Sequence, residues 1–93
     1  MKRLAWNEAK NEQLKRERGL SFERVAYALE HEDVLAVIAH PNAAKYPNQR
    51  LFVLNINEYI HLVPFVESDT EIFLKTIIPS RKATREYLGR RET

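Results

Sequence analysis

Three histidines, His31, His40 and His61, are the first residues to test for chemistry in this 93-residue chain. They lie nine and 21 residues apart, without an i, i+4 pair or a carboxylate cluster beside them. Metal-ligand spacing is therefore missing, and no metal site is expected. Gly19 and Gly89 are the only glycines, so no glycine-rich phosphate loop can form and no nucleotide cofactor is expected. Ser21, Ser68 and Ser80 stand where caps and turns need a hydroxyl, outside any nucleophile-elbow pattern. With no cysteine, thiol chemistry and disulfides are excluded.

The cationic residues near the end are more informative. Lys75 interrupts the apolar run FLKTII, where it either lays its stem over its neighbours or points into an anion site. Arg81 and Arg85 are four apart and share a helix face, with Lys82 beside them. Arg81 follows Lys75 by six residues, so strand and helix cations can converge on one anion. Guanidinium groups suit a phosphodiester because they bind it bidentately and keep their charge. Metal-free cleavage of RNA would further need a base for the 2′-hydroxyl and an acid for the leaving oxygen. His61, Glu67, Tyr46 and Lys75 are the candidates, and spacing does not choose among them. His61 is the strand-borne histidine, either a proton-transfer group or a half-exposed strand residue.

These groups need a scaffold. Arg3 to Trp6 alternates as a short strand, and Asn7 is placed to cap a charged helix to about Arg18, with Ala9 and Leu14 as its core. Glu12 and Arg16 are spaced for an i, i+4 ion pair, and Gly19 ends the helix. Ser21 caps a second helix running to about Glu32, whose Phe22, Val25, Ala26 and Leu29 form one apolar stripe. Val34 to Ala39 reads as a strand, and residues 40–49 as a loop holding Tyr46, either a surface connection or a functional loop. Arg50 to Ile56 and Tyr59 to Val66 form a hairpin through Asn57-Glu58, although Glu suits a type I′ turn poorly. Pro64 cannot donate to a ladder, so an edge or a bulge is expected there. Glu71 to Ile78 is the last strand, with Phe73, Lys75 and Ile77 on one face, and Ser80 caps a helix from Arg81 to about Arg90. The order β-α-α-β-β-β-β-α is an α+β plan: a small antiparallel sheet, two N-terminal helices and one C-terminal helix.

Composition agrees with one small domain over residues 1–93. The chain is 44% hydrophobic and 30% charged, and should bury roughly 60–65% of its unfolded surface. It lacks an apolar run of about 18 residues and a secretory leader, so a cytoplasmic protein with no membrane contact is expected. The net charge of +2 divides unevenly: residues 1–30 carry seven basic and five acidic groups, and residues 31–74 two and six. Residues 75–93 carry six and two, a cationic tail that attracts a polyanion or an acidic protein.

Two stretches together resemble the BrnT family of toxins from bacterial type II toxin–antitoxin systems. The opening LAWNEAKNEQLKRERGLSFERV is similar to that family's strand–helix–Gly–Ser-Phe-Glu–helix start, and the closing LKTIIPSRKATREYL to its strand-to-helix signature. The resemblance extends over about residues 3–88. It implies a RelE-like α+β fold and a metal-independent endoribonuclease without cofactor, acting on RNA either on the ribosome or free. It also implies a cognate antitoxin that binds DNA and represses the shared operon. By position, Arg50 matches a basic residue opening the first hairpin strand, and Lys75 takes the place of a strand arginine. Arg81, Lys82 and Arg85 match the basic start of the last helix.

On this reading Lys75, Arg81 and Arg85 hold the scissile phosphate while His61 or Glu67 moves protons. Arg50, Lys82 and Tyr46 contact substrate. The alternative is a toxin or regulator of the same fold that binds a protein or nucleic acid through the basic helix without cleaving it.

Overall fold

Each helix starts where a side-chain oxygen takes an otherwise unpaired backbone N–H. In the computed structural model, which describes residues 2–31 and 33–89, Asn7 accepts from the Lys10 N–H at 2.9 Å and Ser21 from that of Arg24 at 3.1 Å. Strand β1 (Arg3–Ala5) leads into helix α1 (Glu8–Arg18) and helix α2 (Phe22–Glu30). Between the helices Gly19 takes a left-handed φ of 65°, where a side chain would be strained. Then follow β2 (Val34–Ala39), β3 (Gln49–Ile56), β4 (Tyr59–Glu67), β5 (Glu71–Leu74), β6 (Ile78–Pro79) and α3 (Arg81–Leu88). The architecture is α+β, as the sequence pattern predicts.

The strands form one sheet in the order β1-β5-β4-β3-β2, with β6 pairing β4 beside that path. It is mixed rather than antiparallel, because β1 runs parallel to β5 with Arg3 opposite Glu71. The expected last strand, Glu71 to Ile78, is also broken in two, giving one more strand than predicted. Leu74 and Ile77 both enter the same core. Side chains three apart cannot share a face of an unbroken strand, so the chain leaves the ladder between them.

Pro64 lies neither on an edge nor in a bulge. Its carbonyl accepts from the Lys75 N–H at 2.8 Å, toward the flank where β4 changes partner from β5 to β6. A residue's N and O point to the same side of a strand, so the missing donor faces that gap and costs no bond. At the hairpin Asn57 and Glu58 adopt φ of 56° and 63°. Both are left-handed, as a type I′ turn demands, and Glu58 does so without a glycine's freedom.

Helices α1 and α2 pack on one face of the sheet, burying Phe22, Val25, Ala28 and Leu14 against Phe52, Leu54, Val63, Phe65 and Leu74. Helix α3 lies on the other face, with Ala83 against Val53 and Ile60. Two core expectations fail. Ala9 is exposed while Asn11 is fully buried, and Ala28 takes the buried place expected of Ala26. Asn11 is buried because its amide bridges both helices: Oδ1 accepts from the Phe22 N–H at 2.8 Å and Nδ2 donates to Glu23 at 2.9 Å. On the surface Glu12 pairs with Lys15 at 3.3 Å instead of Arg16. Arg90, the expected end of the last helix, lies outside the described residues.

Candidate functional site

The basic helix α3 is bracketed to β4. Ser80 donates its N–H to the Ile60 carbonyl at 3.0 Å, and Ser80 Oγ accepts from the Ala83 N–H at 3.0 Å. Thr84 Oγ1 accepts from the Ile60 N–H at 2.8 Å and donates to the Ser80 carbonyl at 2.7 Å. With Ala83 and Leu88 turned to the sheet, Arg81, Lys82 and Arg85 are left exposed. The first turn holds no acidic residue, so these cations add to the positive end of the helix dipole.

Lys75 is on the same face, its Nζ 5.4 Å from the centre of the Phe73 ring. None of the four cations has an ion-pair partner among the described residues. Lys75 is anchored at Pro64 and α3 at Ile60, about 13 Å apart along β4 at the usual rise.

His61 points the other way. It shares a face with Val63 and Phe65, under the two N-terminal helices, and is only 6% exposed. Its Nδ1 lies 3.0 Å from the Tyr59 carbonyl, which can only accept, so Nδ1 carries the proton and Nε2 is left as the basic nitrogen. Burial lowers the pKa of His61, and the nearby Arg24 lowers it further, outweighing the hydrogen bond to Tyr59. The imidazole is thus neutral and basic at neutral pH. Its cross-strand neighbour is Pro79, two residues before Arg81, so His61 and the start of α3 meet at the β6 edge from opposite faces.

Glu67 is remote from His61, six residues or about 20 Å along β4. Lys2 Nζ donates to it at 2.8 Å, and Arg50 pairs with its other oxygen. The Lys2 bond and then both charges hold its carboxyl below the usual range. Arg50 also lies over Phe65, 5.1 Å from the ring centre. Tyr46 sits in the 40–49 loop, its ring 4.6 Å from that of His40 and 5.3 Å from Lys45 Nζ.

The sequence-predicted residues thus divide into four groups: α3 with Lys75, His61 beneath the N-terminal helices, Glu67 with Arg50, and Tyr46 in the 40–49 loop. Among the described residues no group of three or more His, Cys, Asp or Glu is placed to hold a metal ion.

Residues 6–86 match the family model of the ribonuclease toxin BrnT of type II toxin–antitoxin systems. The chain belongs to the BrnT family. No curated protein and no solved structure matches it. BrnT membership makes this a ribonuclease toxin at the level of the family, and it implies a cognate antitoxin as protein partner. No described helix of this BrnT chain is long and apolar enough to cross a membrane.

Proposed function

We propose that this BrnT chain is a metal-independent endoribonuclease of the RelE-like type that cleaves RNA, mRNA foremost, and so stops translation and growth from within the cytoplasm. The observation that carries this reading, beside family membership, is the start of α3: three exposed cations on a helix pinned to β4, whose entry strand β6 pairs with β4 at His61. Arg81, Lys82, Arg85 and Lys75 hold the RNA backbone, which passes over Ile78 and Pro79 to His61. Neutral His61 takes the 2′-hydroxyl proton at Nε2, and the 2′-oxygen attacks phosphorus. The bond to the 5′-oxygen breaks, leaving a 2′,3′-cyclic phosphate and a 5′-hydroxyl that takes its proton from water. Glu67, locked as an anion by two cations, positions Arg50 rather than donating a proton. Tyr46 and Arg50 contact RNA farther along.

The cognate antitoxin binds DNA to repress the operon, and an acidic segment of it covers Lys75 and Arg81. Expression of Arg81→Ala with Arg85→Ala tests the reading. The double variant should abolish new internal RNA 5′ ends and growth arrest while its circular dichroism stays that of the native chain. Undiminished toxicity in that folded variant would remove α3 from the mechanism. Arrest by the native chain without new ends would favour a toxin that acts by binding.

A further inference from the structure

The two edges of the sheet are not alike. At one end β1 is three residues long, and Lys2 and Arg3 there hold Glu67 and Glu71. Short, charged edges of this kind deter a further strand. At the other end β2 is six residues long and reads VLAVIA, without a charge. It pairs with β3 on its inner side, and no described residue bonds the backbone of its outer side.

The side chains of β2 are uncovered as well. Leu35 and Val37 are each 45% exposed and Ile38 is 36% exposed. Val37 stands opposite Phe52 on the face of α1 and α2, and Ile38 opposite Leu51 on the face of α3, so the edge is apolar on both sides. A bulge between Val34 and Ala36 bends the start of the strand, but Ala36 to Ala39 keep a regular register with β3. An uncharged apolar edge of this length recruits another strand.

Its residues also select the partner. Antiparallel pairing of β2 with itself about Val37 sets Ala36 opposite Ile38 of the second copy and Leu35 opposite its Ala39. Small thus meets large at each step, and no like charges face one another. The same pairing brings Asp33 of one copy to the His40 end of the other. His40 Nδ1 accepts from the Asn42 N–H at 3.0 Å, so Nε2 carries a proton to donate to that carboxylate. Asp33 has no ion-pair partner of its own among the described residues.

We propose that β2 is a dimerisation edge, at which two copies of this chain join antiparallel strands into one continuous sheet. The inference does not depend on the cleavage reading. The edge is about 20 Å long and about 10 Å thick, far below the roughly 1,200 Å² of a stable interface, so the pair dissociates on dilution. Pairing about a single residue fixes a two-fold axis perpendicular to the sheet. That axis closes the assembly at two copies and sets both α3 helices on the same face.

Sedimentation equilibrium of the full chain over the micromolar range should show monomer passing to dimer and to nothing larger. Val37→Lys and Val37→Glu each set like charges against their own copy at the axis. Each should stay monomeric with native circular dichroism, because the side chain replaced is half exposed. An equimolar mixture of the two should dimerise again. Amide exchange at residues 36–39 should slow as the native chain is concentrated, and not in either variant alone. A native chain that stays monomeric, even one whose β2 takes up a strand of another protein, would overturn the second copy as occupant. So would a native dimer that survives Val37→Lys, a native assembly larger than two, or a mixture of folded variants that stays monomeric. Should either variant fold poorly, the concentration dependence of exchange at β2 in the native chain decides alone.

Discussion

The two faces of the sheet are built differently. Under α1 and α2, eleven buried residues from Leu14 to Ile77 form one continuous core, with the Phe52 and Phe65 rings stacked at 4.0 Å. Under α3 only Val53, Ile60 and Ala83 are buried together among the described residues. The first face is held by apolar area, and the second by a few directed hydrogen bonds from Ser80 and Thr84. Area holds a fold without specifying which charges it presents, whereas directed bonds fix the aim of a short helix without much burial. The thin face can therefore show its cations to solvent because the thick one supplies the stability.

The largest effect should come from breaking that asymmetry directly. Phe22→Ala should cost about 3–5 kcal/mol, as removal of a fully buried aromatic does. Leu88→Ala on the other face should cost only about 1 kcal/mol, since Leu88 is partly buried. Urea denaturation followed by circular dichroism measures both, and equal losses would erase the distinction between the faces.

A smaller effect should follow pH. His61 is buried on the thick face with a lowered pKa, so the unfolded chain takes up its proton first as pH falls. Its contribution is complete above an unfolded pKa of about 6.5 and is lost as pH falls through the lower folded value. Glu23 and Glu67 also have lowered pKa values, but as exposed carboxylates they lose their contribution only below an unfolded pKa of about 4.3. Stability should thus decline as pH falls below about 6.5 in the native chain, and stay level there in His61→Leu until the carboxylates titrate. Identical pH profiles for the two would show that His61 does not carry that window.

The smallest effect belongs to the β3–β4 turn, which supports both faces alike. Glu58→Gly should raise stability by about 0.5–1 kcal/mol by relieving a left-handed non-glycine residue. A lower melting temperature in that variant would mean that the Glu58 side chain stabilises the turn by more than its backbone strain costs.

Much of this was legible in the residues themselves. Asn7, Ser21 and Ser80 as caps, Gly19 as a helix stop, the Asn57-Glu58 hairpin and the cationic start of α3 all depend on neighbours within about four positions, where local rules hold. The two end motifs likewise carry the resemblance to the BrnT family in residues close together along the chain.

Other features required distant segments to meet. Lys2 reaches Glu67 across 65 residues, and β1 joins β5 in parallel with Arg3 opposite Glu71. Asn11 looked like a surface residue until α2 supplied its backbone partner. The break between β5 and β6 follows from where Leu74 and Ile77 bury, not from any breaker between them.

The division of His61 from the cations of α3 is of the same kind. Sequence placed His61 on a strand and Arg81 at the start of a helix, but it set Lys75 in a strand that ends at Leu74 and shared a face between Phe73 and Ile77 that the break between β5 and β6 separates. Which side of the sheet each helix covers is settled only when the apolar faces of α1, α2 and α3 compete for the same six strands. A period-two strand offers two faces, and burial of the rest of the chain decides between them.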